Sequence, residues 1–98
     1  MPGRLSDDKV IDHVRWLWEN GTVRRSFHFD DELFKAGATM LDVQALIRGS
    51  CRVDSANWKK EHKNWNYKLV GCDEEGDELS IVVSLDLPAS LLILVTAF

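Results

Sequence analysis

The chain has 98 residues, of which 45% are hydrophobic and 29% are charged. This length predicts a single domain over residues 1–98 that can bury a core without disulfides, and the composition argues against disorder. No apolar run reaches the roughly 18 residues that a membrane span needs. The charged N-terminal segment does not fit a signal peptide, so we expect a cytoplasmic protein with no membrane segment.

The net charge of the chain is -4 at pH 7, and its distribution is uneven. Residues 51–72 carry five Lys or Arg against two Asp or Glu, a local balance of +3, whereas residues 73–98 carry six acids and no base. An acidic protein with one basic segment can hold a polyanion locally. It lacks the overall field of a dedicated nucleic-acid-binding protein.

The two cysteines, Cys51 and Cys72, are too few for a disulfide framework. They could face each other across a hairpin, but in a reducing cytosol we interpret them as two buried thiols. The sequence has no Cys-x-x-Cys pair and no cluster of histidines. It therefore predicts no metal site, and we expect no cofactor.

The spacing of apolar residues predicts three helices between residues 6 and 49. The first helix follows the N-cap residue Ser6 and ends at Asn20-Gly21, where glycine can adopt a left-handed conformation. Trp16 and Trp18 lie about 200° apart on this helix. We expect Trp18 to face the core and Trp16 to stay partly exposed as a candidate dimer or partner surface, although a rotated helix would shelter both partially.

An extended link over residues 22–26 separates the first helix from the second. The second helix opens at Ser26 or His28 and stops at Gly37. Its predicted inward residues are Phe29, Leu33 and Phe34.

The third helix runs from Thr39 to Gly49, and Asp42 completes a capping box at its start. After Gly49 the periodicity changes to that of strands. Strand candidates are Ser50–Val53, Trp65–Val70, Glu78–Leu85 and Leu91–Phe98. The short turns between them predict an antiparallel meander with the apolar last strand in its interior. The fold class is therefore α+β, with N-terminal helices (6–49) packed on a C-terminal antiparallel sheet (50–98).

The segment from Trp58 to Lys68 alternates lysines with aromatic residues. Single-stranded nucleic acid is bound by this combination, because phosphates pair with ammonium groups and bases stack on rings. The alternative is a long hairpin loop that covers the core. The candidate RNA contacts in this segment are Trp58, Lys59, Lys60 and Trp65.

Several different short motifs lie along the chain between about Asp8 and Phe98. They are the helix and turn from Val10 to Val23, Ser26-Phe27-His28, Gly37, Asp42-Val43, Gly49 and the strand Leu92–Phe98. In order and spacing these motifs resemble a small bacterial family of unknown function within the RelE/ParE toxin superfamily. The chain is more distantly similar to the motility-quorum-sensing-regulator toxins, which cleave messenger RNA.

This resemblance implies a RelE/ParE-like fold and a toxin that pairs with a protein antitoxin. It also implies RNA as the substrate. Cleaving RNA without a metal requires a base for the 2′-hydroxyl, an acid for the departing oxygen and cations for the phosphorane charge.

His28 is the leading catalytic candidate, since it matches the family's Ser-x-His motif and lies at a predicted helix start, where phosphate binds favourably. The alternative is that His28 caps the helix and packs between Phe27 and Phe29. Lys68 is the second candidate. On a strand its side chain would point with that of Asn66 across the exposed side of the sheet.

Arg24 and Arg25 precede His28 on the extended link and could bring one guanidinium to the same phosphate. The alternative is that they are solvated or bonded to Asp30 and Asp31. His62 is a candidate for a second proton-transfer group, and its alternative is a solvated loop histidine.

Two functional hypotheses follow from these residues. The first is a metal-independent endoribonuclease toxin that uses His28 and Lys68, with the arginines and lysines as phosphate contacts. The second is a non-catalytic protein-interaction module that binds a partner, or a second copy of itself, through Trp16, an apolar edge strand or the acidic turn at residues 73–77. RNA binding without cleavage is a third reading.

Overall fold

A computed structural model of the chain describes residues 3–98 as an α+β domain with three helices and five strands in one sheet. The helices are α1 (Asp7–Asn20), α2 (Phe29–Lys35) and α3 (Met40–Arg48). The strands are β1 (Thr22–Arg25), β2 (Arg52–Lys59), β3 (Asn64–Cys72), β4 (Glu78–Asp86) and β5 (Leu91–Ala97). The predicted helices and the change of periodicity after Gly49 are confirmed.

The strand order of the sheet is β1-β5-β4-β3-β2. The four C-terminal strands pair antiparallel in sequence order, and β5 lies in the interior, as the sequence predicted. Residues 22–26 are extended, as predicted, but they do more than connect α1 to α2. The first four of them form an edge strand that runs parallel to β5. The sheet is therefore mixed, and one of its strands comes from the helical half of the chain.

The hairpin formed by β2 and β3 is longer than the sequence suggested. β2 has eight residues instead of four, and the loop consists of residues 60–63 alone. Trp58 lies directly opposite Trp65 in the register, so both residues belong to strands. The interpretation of the whole Trp58–Lys68 segment as a long loop is therefore wrong.

The start of α1 follows the sequence closely. The side chain of Ser6 accepts a hydrogen bond from the N–H of Lys9, and Asp7 and Asp8 lie in the first turn, where the helix dipole favours negative charge. Trp18 packs against the core and Trp16 is 54% exposed, as expected.

Gly21 ends α1 for a different reason from the one predicted. Its φ is -96°, so it does not adopt a left-handed conformation. A β-carbon at this position would lie 2.6 Å from the carbonyl oxygen of Ser90. The glycine therefore permits the close approach of the α1–β1 joint to the turn before β5.

The second helix begins one residue after His28 and buries Phe29 and Leu33, but Phe34 is 85% exposed. The prediction of Phe34 as an inward residue was wrong. α2 has seven residues, and Phe34 lies one position beyond Leu33, which turns it about 100° away from the buried side.

The third helix has the predicted capping box. The carboxylate of Asp42 accepts the N–H of Thr39 at 2.8 Å, and its other oxygen accepts the N–H of Glu74 from the β3–β4 turn at 3.2 Å. These backbone hydrogen bonds, the one from Thr39 first, lower the pKa of Asp42 below its ordinary value of 3.8. One carboxylate thus joins α3 to the sheet.

All three helices pack on one face of the sheet and share a single apolar core. The helical members of this core are Val10, Val14, Leu17, Phe29, Leu33, Val43, Leu46 and Ile47. The strand members are Tyr67, Leu69, Leu79, Ile81, Val83, Leu85, Leu92, Leu94 and Ala97. We call this side the covered face, and the opposite side of the sheet, where no helix packs into the core, the open face.

Two irregularities keep apolar residues on the covered face despite an odd spacing along the strand. The register shifts between Val53 and Ser55, which leaves Asp54 as an extra residue in β2. In β5, Leu94 pairs with Val83 and Thr96 with Val82, so Val95 is the extra residue. Each is a β-bulge, which displaces the alternation of faces by one position.

The two cysteines are free thiols, as expected, but only one is sheltered. Cys51 is half-buried and Cys72 is exposed, so the expectation of two buried thiols was wrong for Cys72. Burial raises the pKa of the Cys51 thiol. Within residues 3–98, no helix combines the length and apolarity needed to cross a bilayer.

Candidate functional site

The open face carries one continuous row of side chains that crosses all five strands. In register order the row consists of Arg24, Ile93, Ser84, Asn66 and Asn57. Paired residues of neighbouring strands point to the same face, and strands lie about 4.8 Å apart, so the row is about 19 Å long. An arginine stands at one end of it and an asparagine at the other.

This row forms the floor of a groove of about 820 Å³. The groove is lined by Arg24, Ser26, Asn57, Lys59, Glu61, His62, Asn64, Asn66, Val82, Ser84, Asp86, Ile93, Val95 and Thr96. Its formal charges balance, with Arg24 and Lys59 against Glu61 and Asp86. It is therefore a groove without net charge in which polar side chains surround the apolar residues Val82, Ile93 and Val95. Its cations lie on the outer strand β1 and at the end of the outer strand β2.

Part of the groove is held in place by hydrogen bonds within the protein. The amide nitrogen of Asn64 donates to the hydroxyl of Ser84 at 3.1 Å and to the carbonyl of Leu85 at 2.9 Å. Its amide oxygen accepts the N–H of Trp65 at 2.8 Å. Ser26 donates to the carbonyl of Val95 at 2.5 Å, which fixes the end of β1 against β5.

The amides of Asn57 and Asn66 differ from those of the other asparagines. Asn20 donates to the carbonyl of Trp16 and Asn64 is fully engaged. Among the hydrogen bonds formed within residues 3–98, none involves the side chain of Asn57 or Asn66. These two residues are direct cross-strand partners, so their amides lie side by side on the floor of the groove.

The predicted phosphate contacts divide between the two faces of the sheet. Arg24 and Lys59 line the groove. Arg25 points to the covered side, where its guanidinium lies 3.5 Å from a carboxylate oxygen of Asp30. Adjacent strand residues alternate in direction, so Arg24 and Arg25 cannot bind the same anion from this strand. Lys60 is exposed in the β2–β3 loop.

The predicted stacking residues do not lie in the groove. Trp58 and Trp65 contact each other edge to face, with ring centroids 5.7 Å apart. Trp65 packs against the core and Trp58 lies opposite it, which places both rings on the covered side. A base bound in the groove would therefore contact amide and hydroxyl groups instead of these indole rings.

His28 and Lys68, the two predicted catalytic residues, are not brought together. His28 is exposed before α2, makes no capping hydrogen bond through its side chain and contacts the ring of Phe27 at 5.5 Å. The ammonium of Lys68 lies 3.6 Å from the carboxylate of Asp54 and 4.8 Å from the ring centroid of Phe98. His28 follows β1, and Lys68 lies on β3. These two strands are about 14 Å apart, because β5 and β4 lie between them.

His62 is the histidine that lines the groove, together with the neighbouring Glu61 and Lys59. The sequence offered His62 as a second proton-transfer group, with a solvated loop histidine as the alternative. His62 is exposed in the four-residue β2–β3 loop, and it lines both this groove and a second cavity that contains Trp65 and Tyr67. The signal in the sequence that could have revealed the place of His62 is the pairing of Trp58 with Trp65. This pairing shortens the loop to residues 60–63 and so keeps His62 close to the sheet.

Comparison of the chain with protein families, with characterised proteins and with solved structures gives no match. The likeness to RelE/ParE toxins thus remains an expectation from the motifs. Within residues 3–98, no group of three or more His, Cys, Asp or Glu side chains is close enough to hold a metal ion.

Proposed function

We propose that the chain binds single-stranded RNA across the open face of its sheet, in the manner of a toxin-like RNA-binding protein. The observation that carries this proposal is the row from Arg24 to Asn57, in which four of the five side chains are polar. It lies on the face where none of the helices within residues 3–98 packs, and the groove continues to Lys59. Arg24 and Lys59 suit phosphate groups, which provide most of the affinity for a nucleic acid.

The shape and charge of the groove favour a single strand over a duplex. The groove holds two cations and two carboxylates, so contacts to phosphate alone give it little affinity for a duplex, and contacts to unpaired bases have to add to them. Unpaired RNA exposes base edges that amides and hydroxyls can bind, and the groove offers both. A length of about 19 Å accommodates a short segment of a few nucleotides.

The binding test compares two adjacent arginines of β1. Arg24→Ala removes a groove cation and Arg25→Ala removes a cation from the other side of the same strand. Binding of a fluorescent single-stranded RNA is measured by anisotropy at several salt concentrations. We expect Arg24→Ala and Lys59→Ala each to weaken binding and to reduce the slope of log affinity against log salt by about 0.7. Equal effects of Arg24→Ala and Arg25→Ala would contradict binding on the open face.

Cleavage of the bound strand is the activity that the sequence resemblance implies. The groups of the groove that suit this chemistry are His62 as a proton-transfer group and Lys59 or Arg24 beside the phosphorane. The 2′-oxygen would lose its proton and attack phosphorus. The bond to the 5′-oxygen would break, and that oxygen would take up a proton, giving a cyclic phosphate and a 5′-hydroxyl end.

The proposed cleavage is tested by incubating the purified protein with RNA in the presence of a chelator and measuring the rate at which the RNA is cut. If the groove is catalytic, His62→Ala lowers the rate about 100-fold and His28→Ala leaves it within twofold. The assignment based on sequence predicts the reverse, with His28→Ala and Lys68→Ala inactive. RNA that is bound and never cut would leave the chain as a binding protein.

A protein-interaction role is the second candidate, because several large apolar side chains are exposed. Phe27, two residues before α2, is 89% exposed, and Phe34, within α2, is 85% exposed. The edge strands of the sheet are β1 and β2, and both carry several charged or polar residues, so neither is the apolar edge strand that this hypothesis invoked. Light scattering on the wild type and a Phe27→Ser, Phe34→Ser variant tests self-association, and growth arrest on overexpression, relieved by a neighbouring gene product, tests the toxin–antitoxin reading.

A further inference from the structure

Asn57 and Asn66, whose side chains form no hydrogen bond within residues 3–98, form a matched pair of amides. Residues directly opposite each other in an antiparallel ladder have β-carbons about 5 Å apart. Each amide has one acceptor oxygen and one donor nitrogen, so the pair offers two donor–acceptor sets side by side. Ser84 continues the row next to Asn66, and its hydroxyl is already engaged by Asn64.

This arrangement can be compared with the edges of the four RNA bases. The exocyclic amino group of adenine has two hydrogens and lies between two ring acceptors, N1 and N7. One amide can bind N6 and N7 while a second binds N6 and N1, each with its oxygen on the amino group. Cytosine has an acceptor on one side of its amino group only, and guanine and uracil carry a carbonyl oxygen in that place.

We propose that Asn57 and Asn66 together read an unpaired adenine in the bound RNA. This inference rests on the proposed function, and it names the base that the groove prefers. The amides are suited to the task because the paired strands β2 and β3 fix the positions of their backbones, while no hydrogen bond within residues 3–98 has to break to free the side chains. Asn64, which is bonded to Ser84 and Leu85, supports the floor and does not take part in reading.

The experiment measures binding of two RNA octamers by fluorescence anisotropy. One octamer contains only uridine, and the other has a single central adenosine. We expect the wild type to bind the adenosine-containing strand about tenfold more tightly. Asn57→Ala and Asn66→Ala should each reduce that preference to less than threefold, and Asn20→Ala, which changes an asparagine outside the groove, should retain it.

A second arm uses the unaltered protein and therefore does not depend on the folding of any variant. The central adenosine is replaced by purine riboside, which lacks the amino group, by the 7-deaza analogue or by the 1-deaza analogue. Purine riboside should abolish the preference, and each deaza analogue should reduce it partially.

The outcomes separate the two proposals. Equal affinity of the wild type for both octamers, or a preference that survives both asparagine substitutions, would overturn adenine reading and leave RNA binding in place. A preference lost with purine riboside and with neither deaza analogue would also overturn the two-edge arrangement. Failure of the wild type to bind either octamer would overturn the proposed function, and the inference with it.

Discussion

The two faces of the sheet are built from the same strands and differ in what their side chains do. On the covered face the residues of β4, such as Ile81 and Val83, are fully buried against helices. On the open face the alternate residues, such as Ser84 and Val82, line a groove. Folding needs the residues of the covered face for the burial of apolar surface. It makes little use of the side-chain amides of Asn57 and Asn66 on the open face.

This contrast teaches where a functional site can be sought without any relative to compare. Burial of apolar surface is the main driving force of folding, and it accounts for the covered face. It gives no reason for two adjacent amides on the open face that form no hydrogen bond with the part of the chain described by the structure. Residues that folding does not require are the ones to test for function, and the following predictions are arranged to challenge that separation.

The largest effect should come from truncation of a covered-face residue. Ile81→Ala should lower the free energy of unfolding by about 2–5 kcal/mol, because it removes buried methyl groups and leaves a cavity. Val82→Ala, one residue along the same strand on the open face, should cost less than about 1 kcal/mol. Urea denaturation monitored by tryptophan fluorescence measures both. Similar costs for the two would show that the faces do not differ energetically.

The next largest effect concerns the joint between α1 and β1, which sets the helix against the covered face. Gly21→Ala should destabilise the protein by about 2 kcal/mol, because the new β-carbon would collide with the carbonyl of Ser90 and displace backbone. Thermal unfolding measures the change. Asn20→Ala, which removes one exposed hydrogen bond to Trp16, is the control and should cost under about 1 kcal/mol. A Gly21→Ala variant as stable as the wild type would contradict the close approach.

A smaller effect is expected for the polar margin of the covered face. The hydroxyl of Tyr67 accepts the N–H of Leu5 at 3.1 Å, while its ring is buried in the core. Tyr67→Phe should cost about 1 kcal/mol, since the ring stays and one hydrogen bond is lost. Equilibrium unfolding of the wild type and of the Tyr67→Phe variant measures this difference in the free energy of unfolding. A loss above about 3 kcal/mol would mean that the hydroxyl supports much more than this single contact.

The smallest effect at neutral pH is expected at Asp42, outside both faces. Hydrogen bonds from the N–H groups of Thr39 and Glu74 lower its pKa in the folded protein. A carboxylate with a lowered folded pKa contributes stability above its unfolded value, near 3.8, and loses that contribution as the pH falls through the folded value. Asp42→Asn should therefore make unfolding less sensitive to pH between pH 5 and the acid limit. Urea titrations of the wild type and of Asp42→Asn at several pH values over this range measure the free energy of unfolding. Identical slopes of this free energy against pH for the two proteins would contradict the prediction.

Helices and core were predictable from the sequence because their signals are local. The periodic apolar residues Val10, Val14 and Leu17 define the buried stripe of α1, and Thr39 with Asp42 defines the start of α3. The failures have physical causes. Thr22–Arg25 becomes a strand through pairing with β5, about seventy residues later, and no local pattern of four residues contains that information.

The same reason explains the hairpin and the site. The bulge at Asp54 breaks the alternation of β2, so a strand of eight residues was predicted as four. The shared direction of Asn66 and Lys68 was predicted correctly, because alternation within one strand is a local property. Arg24 and Lys59 line the groove, and their role as phosphate contacts stays a prediction. The position of His62 in the groove depends on register, and so does the absence of Trp58 from it. Cross-strand register is set by tertiary pairing and is weakly encoded in strands that are polar on one side.

The parallel pairing of β1 with β5 has a consequence for synthesis of the protein. The N–H of Ser26 bonds to the carbonyl of Leu94, so the wall of the groove that carries Arg24 is completed by residues made nearly seventy positions later. Such distant pairings form late, because a long loop must close before they are rewarded. A nascent chain translated only to about residue 90 contains the segments of all three helices but not the strand with which β1 pairs. The groove therefore assembles only after β5 has been translated.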